Sequence, residues 1–350
     1  MRKPKIGITM GDPAGIGPEI TVKMFLNEDL YSMCIPVVIG SKDVLGDVKN
    51  ILKNDIPQIH CVRQVKDCKA KNGVINLVDL GNIKRKDFEY GKISSIAGRA
   101  SGEYIAKGIQ MALDKTIDAL VTNPIHKESF KLAGYGRKYA GHTEMLADIT
   151  KTKDYTMMLA TENLLVVHVT THVSLKEAIR GIKKNRIIKV IKIANEACLS
   201  LGIQNPRIAV AGLNPHCGDG GLFGDEEIKE IIPAVKEAKA AGMNVTGPLS
   251  SDSIFAKALG GLFDIVVVMY HDQGHIPVKT LGFQWDRSLN SWGKMHGINI
   301  TLGLPIIRTS VDHGTAFGKA GKGQADYTSL FEALKYAVKM FKNKNIRKNI

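Results

Sequence analysis

The sequence predicts a layered α/β fold on a largely parallel sheet, and three observations carry that expectation. Short β-branched runs alternate with amphipathic stretches along the whole chain. Several runs are almost wholly apolar, as in Ile265-Val266-Val267-Val268-Met269, the pattern of a strand covered on both faces. The 35 glycines and low aromatic content of 6% suit many tight turns rather than a fibrous or disordered chain. A length of 350 residues allows one large domain or two modest ones.

Strands are expected at 5–10, 35–40, 73–79, 117–122, 155–160, 164–170, 207–213 and 264–270. Helices are expected between them. In 96–113, Ala97, Ala100, Tyr104, Gly108, Met111 and Ala112 share one stripe at helical spacing, and 225–241 and 327–342 read the same way. The polar segment 284–297 reads as a loop whose tryptophans, Trp285 and Trp292, either cap a pocket or anchor it. The basic end, 342–350, reads as a fraying tail.

Composition excludes several classes. No apolar run approaches the roughly 20 residues of a membrane helix, and Met1-Arg2-Lys3-Pro4-Lys5 leads straight into a strand rather than a signal peptide. A cytoplasmic protein is expected. Cys34, Cys61, Cys68, Cys198 and Cys217 are scattered, with no C-x-x-C pair, as in a reduced compartment. The net charge of +14 comes from lysines spread along the chain. It favours a general lysine-rich bias together with steering of an anionic substrate over nucleic-acid binding, for which no zinc-finger, RNA-recognition or aromatic-basic pattern is present.

Four constellations bear on chemistry. The run from Met10 to Glu19 follows a strand and is neither G-x-G-x-x-G nor a Walker A loop, so a tight strand-to-helix turn and a ligand loop both remain open. Pro18 suits the first turn of the next helix. His172, His216 and His271 each follow a strand. They are either three ligands of one metal or three unrelated polar residues at loop starts. His168, inside a strand, reads as a satisfied core or interface residue. His142, Thr143, Lys279, Asn299 and Arg308 form a polar, largely cationic set of the kind that holds carboxylate or phosphate. The glycine-rich run 311–323 can wrap a nucleotide or serve as a plain surface loop.

Together these segments resemble the 4-hydroxythreonine-4-phosphate dehydrogenase family. The matching pieces are 7–19, Gly141-His-Thr-Glu144, Thr170-Thr-His172, Gly212-Leu-Asn-Pro-His216, Tyr270-His-Asp-Gln-Gly274 and 300–316, in family order and spanning almost the whole chain. The resemblance implies two α/β domains around a cleft, similar to isocitrate and isopropylmalate dehydrogenases and not a Rossmann fold. Approximate bounds are 1–130 plus 303–350 for the domain with the nucleotide loop, and 131–302 for the domain with metal and dimer contacts. It implies a homodimer with a shared active site, acting on a small phosphorylated acid, with neither nucleic acid nor membrane as partner. It places one divalent metal (zinc, cobalt, manganese or magnesium) on His172, His216 and His271. Substrate contacts fall on His142, Thr143, Lys279, Asn299 and Arg308, catalysis on Lys279 and Asp272, and NAD on His313, Gly314, Thr315 and Ala316. Gly318 stands where the wider superfamily often has an acid, which leaves the adenosine contact and the choice between NAD and NADP open.

Two departures bear on the substrate. His275-Ile276-Pro277-Val278-Lys279 replaces the Leu-Pro that usually follows His-Asp-Gln-Gly in vitamin-pathway members, and 284–297 is longer than the usual connection. The first resembles a catabolic branch acting on D-threonate or D-erythronate 4-phosphate. The expected reaction is NAD-linked, metal-dependent oxidative decarboxylation of such an acid to dihydroxyacetone phosphate and carbon dioxide. The alternative is the 4-hydroxythreonine-4-phosphate dehydrogenase of vitamin B6 biosynthesis. A nucleic-acid-binding protein on an enzyme scaffold is a distant third.

Overall fold

The computed structural model describes residues 2–287, 291–295 and 297–348. Two α/β units are present, as expected. The first comprises Met1–Lys153 and Leu304–Lys342, the second Asp154–Gly303 and Asn343–Ile350.

Unit 1 opens with β1 (Lys5–Thr9), α1 (Gly17–Met24), α2 (Asp29–Met33), β2 (Ile35–Gly40), α3 (Lys42–Leu52), β3 (Gln58–Cys61) and β4 (Val74–Asp79). It continues through α4 (Ser95–Leu113), β5 (Ala119–Thr122), α5 (Lys127–Leu132) and α6 (His142–Ile149). The unit is completed late in the chain by β14 (Arg308–Val311) and the 328–342 portion of α12 (Thr328–Lys348). Its strands run in the order β3-β4-β2-β1-β5-β14, all parallel. A dinucleotide-binding doubly wound sheet has the order 3-2-1-4-5-6, which this is not.

The sequence pattern explains these elements. Every side chain of β5 is buried, and all but the first of β1 and β2. Ser41 and Ser94 cap α3 and α4 by accepting Val44 and Ala97 amides, and Pro18 lies in the first turn of α1. The predicted stripe of α4, from Ala97 to Ala112, is buried throughout.

Unit 2 comprises β6 (Thr156–Ala160), β7 (Leu165–His168), α7 (Leu175–Gly181), α8 (Lys184–Ser200), β8 (Ile208–Ala211), α9 (Ile232–Ala240), β9 (Val245–Leu249), α10 (Ile254–Leu259), β10 (Ile265–Val268), α11 (His271–Gly282), β11 (Phe283–Asp286), β12 (Ser291–Met295) and β13 (Ile298–Leu302). The order is β13-β6-β7-β10-β8-β9. The last four strands are parallel, and β6 is antiparallel to both its neighbours. Leu159, Val166, Ala209, Val266, Val268 and Val278 belong to its core.

Three expectations need correction. The boundary expected at 130 falls after Lys153, because α5 and α6 pack on α4, so His142 and Thr143 belong to unit 1. Segment 284–297 is not a plain loop: β11 and β12 pair antiparallel, with Trp285 opposite Trp292 in register. The side chains that the capping-or-anchoring question turns on lie outside the described residues. Residues 342–348 of the expected tail are helical, since α12 runs to Lys348.

Candidate active site

In unit 1 the parallel strands β1, β5 and β14 are neighbours, so the loops beyond their carboxyl ends share one edge of the sheet. The Met10–Glu19 run is a tight turn. Gly11 has φ +78, and a Cβ there would meet the Pro124 oxygen at 2.6 Å. The Asp12 amide donates to that same oxygen at 2.9 Å, and Asp12 Oδ1 accepts the Ala14 amide at 2.9 Å. Asp12 is fully buried, and desolvation raises its carboxyl above the ordinary range. Gly15 packs on Thr315, and the Ile16 amide donates to the Thr315 oxygen at 3.1 Å. Buried Glu19 accepts the Ala325 amide at 2.7 Å and the Lys23 ammonium at 2.9 Å. Lys23 also donates to the Gly323 and Ala325 oxygens. The motif thus clasps the 313–325 loop by chain-on-chain contact.

That loop keeps an open side. Thr315 is buried in the clasp, whereas Gly314 and Gly318 have no neighbouring atom within 4 Å of a built Cβ. The His313 Nδ1–H donates to the Gly314 oxygen at 2.9 Å, and its Nε2 is buried with no hydrogen-bond partner. Burial holds this imidazole below its ordinary range. Phe317 stacks on His126 at 4.4 Å and 11°, joining the loops after β5 and β14.

The same unit holds a buried polar cluster around Arg308. Arg308 at the start of β14 is 3% exposed and donates from Nη2 to Thr122 Oγ1 at 2.6 Å. Burial lowers its pKa, and nearby Glu144 opposes that shift. His142 and Thr143 open α6. Burial first, then Arg308, drives His142 well below its ordinary pKa, so it is neutral. Its Nε2 is buried without a partner. A buried guanidinium that makes charge-assisted hydrogen bonds is a receptor for carboxylate or phosphate.

Unit 2 explains the histidines. Strands β7, β10 and β8 are adjacent and parallel, and His172, His271 and His216 follow them in that order. All three leave the same edge of one sheet. The rings of His172 and His271 lie 5.7 Å apart between centroids, close to the roughly 5 Å of two imidazoles sharing one ion. Among the described residues, no group of three or more His, Cys, Asp or Glu is gathered to hold a metal. The donor chemistry fits a borderline divalent ion. His271 Nδ1 is held by Asp272 Oδ1 at 2.7 Å, the outer partner that leaves Nε2 for a ligand.

Gln273, Gly274 and His275 seat α11 on unit 2. Gln273 is buried. Its Oε1 accepts the Met269 amide at 2.6 Å, and its Nε2 donates to the Gly212 oxygen and Ser251 Oγ, each at 2.7 Å. Gly274 lets α11 lie against His168, whose Nε2 would be 2.5 Å from an added Cβ. His275 donates through Nδ1 to the His271 oxygen at 2.9 Å and stacks on the His271 ring at 3.5 Å and 13°. His168 is fully buried, as expected of a core residue, with Nδ1 donating to the Met157 oxygen at 3.2 Å; its Nε2 has no hydrogen-bond partner. Lys279 lies eight residues after His271, just over two turns along α11. Its ammonium is 5.0 Å from the Phe283 ring centroid. Asn299 on β13 places Nδ2 2.8 Å from Met157 Sδ.

The expected site residues therefore divide. His142, Thr143, Arg308 and 313–316 are in unit 1, while His172, His216, His271, Asp272, Lys279 and Asn299 are in unit 2. Gln273, His275 and Glu227 escaped sequence reasoning. The first two sit inside a motif already singled out, whereas Glu227 acts on residues thirteen and fourteen positions upstream.

The family model for the pyridoxal phosphate biosynthetic protein PdxA matches residues 32–337. The chain belongs to the PdxA family. A relative from Oceanobacillus iheyensis, provisionally named a D-threonate 4-phosphate dehydrogenase, is 46% identical over 97% of this chain and 98% of its own length. Two solved structures titled 4-hydroxythreonine-4-phosphate dehydrogenase are similar throughout. That from Burkholderia phymatum has a TM-score of 0.81 at 42% identity, covering 97% of this chain and 99% of that one. That from Klebsiella pneumoniae has a TM-score of 0.85 at 39% identity, covering 97% and 98%. Such full-length likeness to named dehydrogenases makes this PdxA-family chain an oxidoreductase. No described helix is long and apolar enough to cross a membrane.

Proposed function

We propose that this PdxA-family chain is an NAD-linked, metal-dependent dehydrogenase that oxidises and decarboxylates D-threonate or D-erythronate 4-phosphate. The observation that carries the reading is the approach of His172 to His271, with Asp272 and Lys279 on the same helix as His271. The name of the Oceanobacillus iheyensis relative favours these acids over 4-phosphohydroxythreonine.

The substrate loses hydride from its C3 carbon to NAD and the proton of its C3 hydroxyl to a base. The resulting β-keto acid loses C1 as carbon dioxide, and protonation at C2 gives dihydroxyacetone phosphate. A divalent metal supplies Lewis acidity to the reacting oxygen. His172, His216 and His271 would hold it, with imidazoles contributed by both copies of a homodimer. Exposed Val173, Leu175, Leu222, Phe223, Ile228 and Ile276, close in sequence to these histidines, support association of two copies. Lys279 takes the hydroxyl proton and returns one at C2. Arg308, His142 and Thr143 hold phosphate or carboxylate, and Asn299 a substrate oxygen. The 313–316 loop receives NAD, with Gly314 leaving room for it.

The test measures NADH formation with D-threonate, D-erythronate and 4-hydroxythreonine 4-phosphates at equal concentration. A kcat/KM more than about tenfold higher for either sugar acid is expected, since a misplaced donor-acceptor group costs at least that much. Preference for the amino compound assigns the chain to vitamin B6 synthesis. No turnover of any of the three rejects the reading.

A further inference from the structure

We infer that Glu227 is a positioning residue for His216, acting through the loop between β8 and α9; the inference rests on the metal reading above. After β8 the chain runs Gly212-Leu213-Asn214-Pro215-His216-Cys217-Gly218-Asp219-Gly220. From His216 to Gly220 every φ is positive: 52, 59, 78, 44 and 69. Three of these five residues carry side chains, and left-handed backbone is unfavourable for an L-residue. A run of this kind persists only where its surroundings hold it.

Glu227 does the holding. Its side chain is 1% exposed. Oε1 accepts the Leu213 and Asn214 amides, both at 2.7 Å, and Oε2 accepts Asn214 Nδ2 at 2.9 Å. These are charge-assisted bonds to the two residues just before Pro215 and His216. Gly218 lies against the other side of the carboxylate, where a Cβ would sit 3.0 Å from Oε2. Glu227 itself begins a π-helical turn, Glu227–Ile231, leading into α9. Such widened turns recur at functional sites. The root of the loop is also tied towards His271, because Gln273 on α11 donates to the Gly212 oxygen. Glu227 therefore sets the direction from which His216 leaves β8.

The experiment uses the full-length protein, stripped with EDTA and titrated with cobalt(II) chloride. Visible absorption reports the coordination, and thermal unfolding reports the fold. Glu227→Gln keeps the shape but puts an amide donor against Asn214 Nδ2. Its cobalt affinity is expected to fall 10- to 100-fold, with an altered spectrum, at temperatures where it stays folded. Unchanged affinity and spectrum in the folded variant overturn the inference. Should that variant not fold, Gly218→Ala decides by the same readings, because it strains the loop directly. Loss of cobalt binding in His216→Ala with none in Glu227→Gln refutes the role of Glu227 alone. Wild-type cobalt binding in His216→Ala removes the metal reading, and this inference with it.

Discussion

Replacing Gly274 by alanine adds a methyl group where three neighbours already stand. The new Cβ would lie 2.5 Å from His168 Nε2, 2.7 Å from Val166 Cγ1 and 2.9 Å from Val268 Cγ2. All three belong to β7 and β10, which cannot retreat without disturbing the sheet. Overpacking of this kind costs about 3 kcal/mol, the upper part of its usual range. Alanine recovers about 1 kcal/mol through its better helix propensity. The net loss is about 2 kcal/mol, a fall of roughly 4–8 °C in Tm for a unit of this size. Gly46 in α3 provides the control, because nothing lies within 4 Å of its built Cβ. Gly46→Ala should leave stability unchanged or raise it by up to about 1 kcal/mol. Urea unfolding followed by fluorescence and circular dichroism gives both midpoints. If Gly274→Ala is as stable as its parent, the close seat of α11 on His168 is wrong.

Burial pushes His168 down to about 4 from an ordinary 6.5, so the folded state favours its neutral form. That stability is full above pH 6.5 and is lost as pH falls from there towards 4, by about 2 kcal/mol at pH 5. The urea midpoint of EDTA-treated protein should fall over that window, and His168→Phe should flatten the slope; an equal slope in the variant refutes this source. Arg308→Met should raise the substrate KM by about a hundredfold or more, through loss of charge-assisted bonds, with NAD binding unchanged by fluorescence; a normal KM removes Arg308 from substrate binding. Lys279→Met should lower kcat by about 10²–10⁴ while cobalt and substrate still bind, and unchanged turnover rejects proton transfer by Lys279.

Much of the scaffold was legible because both faces of its strands are covered. Runs such as 265–268 and 208–211 are apolar throughout, and the structure makes strands of them. Strands β3 and β9 escaped because neither is fully buried and β9 contains Gly247 and Pro248, so their composition is that of loops. The β11–β12 hairpin escaped because Phe283-Gln284-Trp285-Asp286 alternates over only four residues and Gly293 and Lys294 interrupt the pattern in its partner. At the site, the strand-end histidines were visible as residues, but their common sheet edge follows from the order β7-β10-β8, which no local pattern encodes. The Met10–Glu19 run resolved into a clasp only once Glu19 and Lys23 were seen to grip 323–325, some three hundred positions away.

The insertion of unit 2 within unit 1 has a consequence for synthesis on the ribosome. Strand β5 ends at Thr122, whereas its partner β14 begins at Arg308. At about 5–20 residues per second the gap amounts to roughly ten to forty seconds. Throughout that interval the nascent Ala119-Leu120-Val121-Thr122 segment is an unpaired apolar margin, open to any other extended chain. Fragments cut before residue 304 keep that margin permanently. They should therefore clump during expression, and supplying 304–342 as a separate peptide should keep them dispersed.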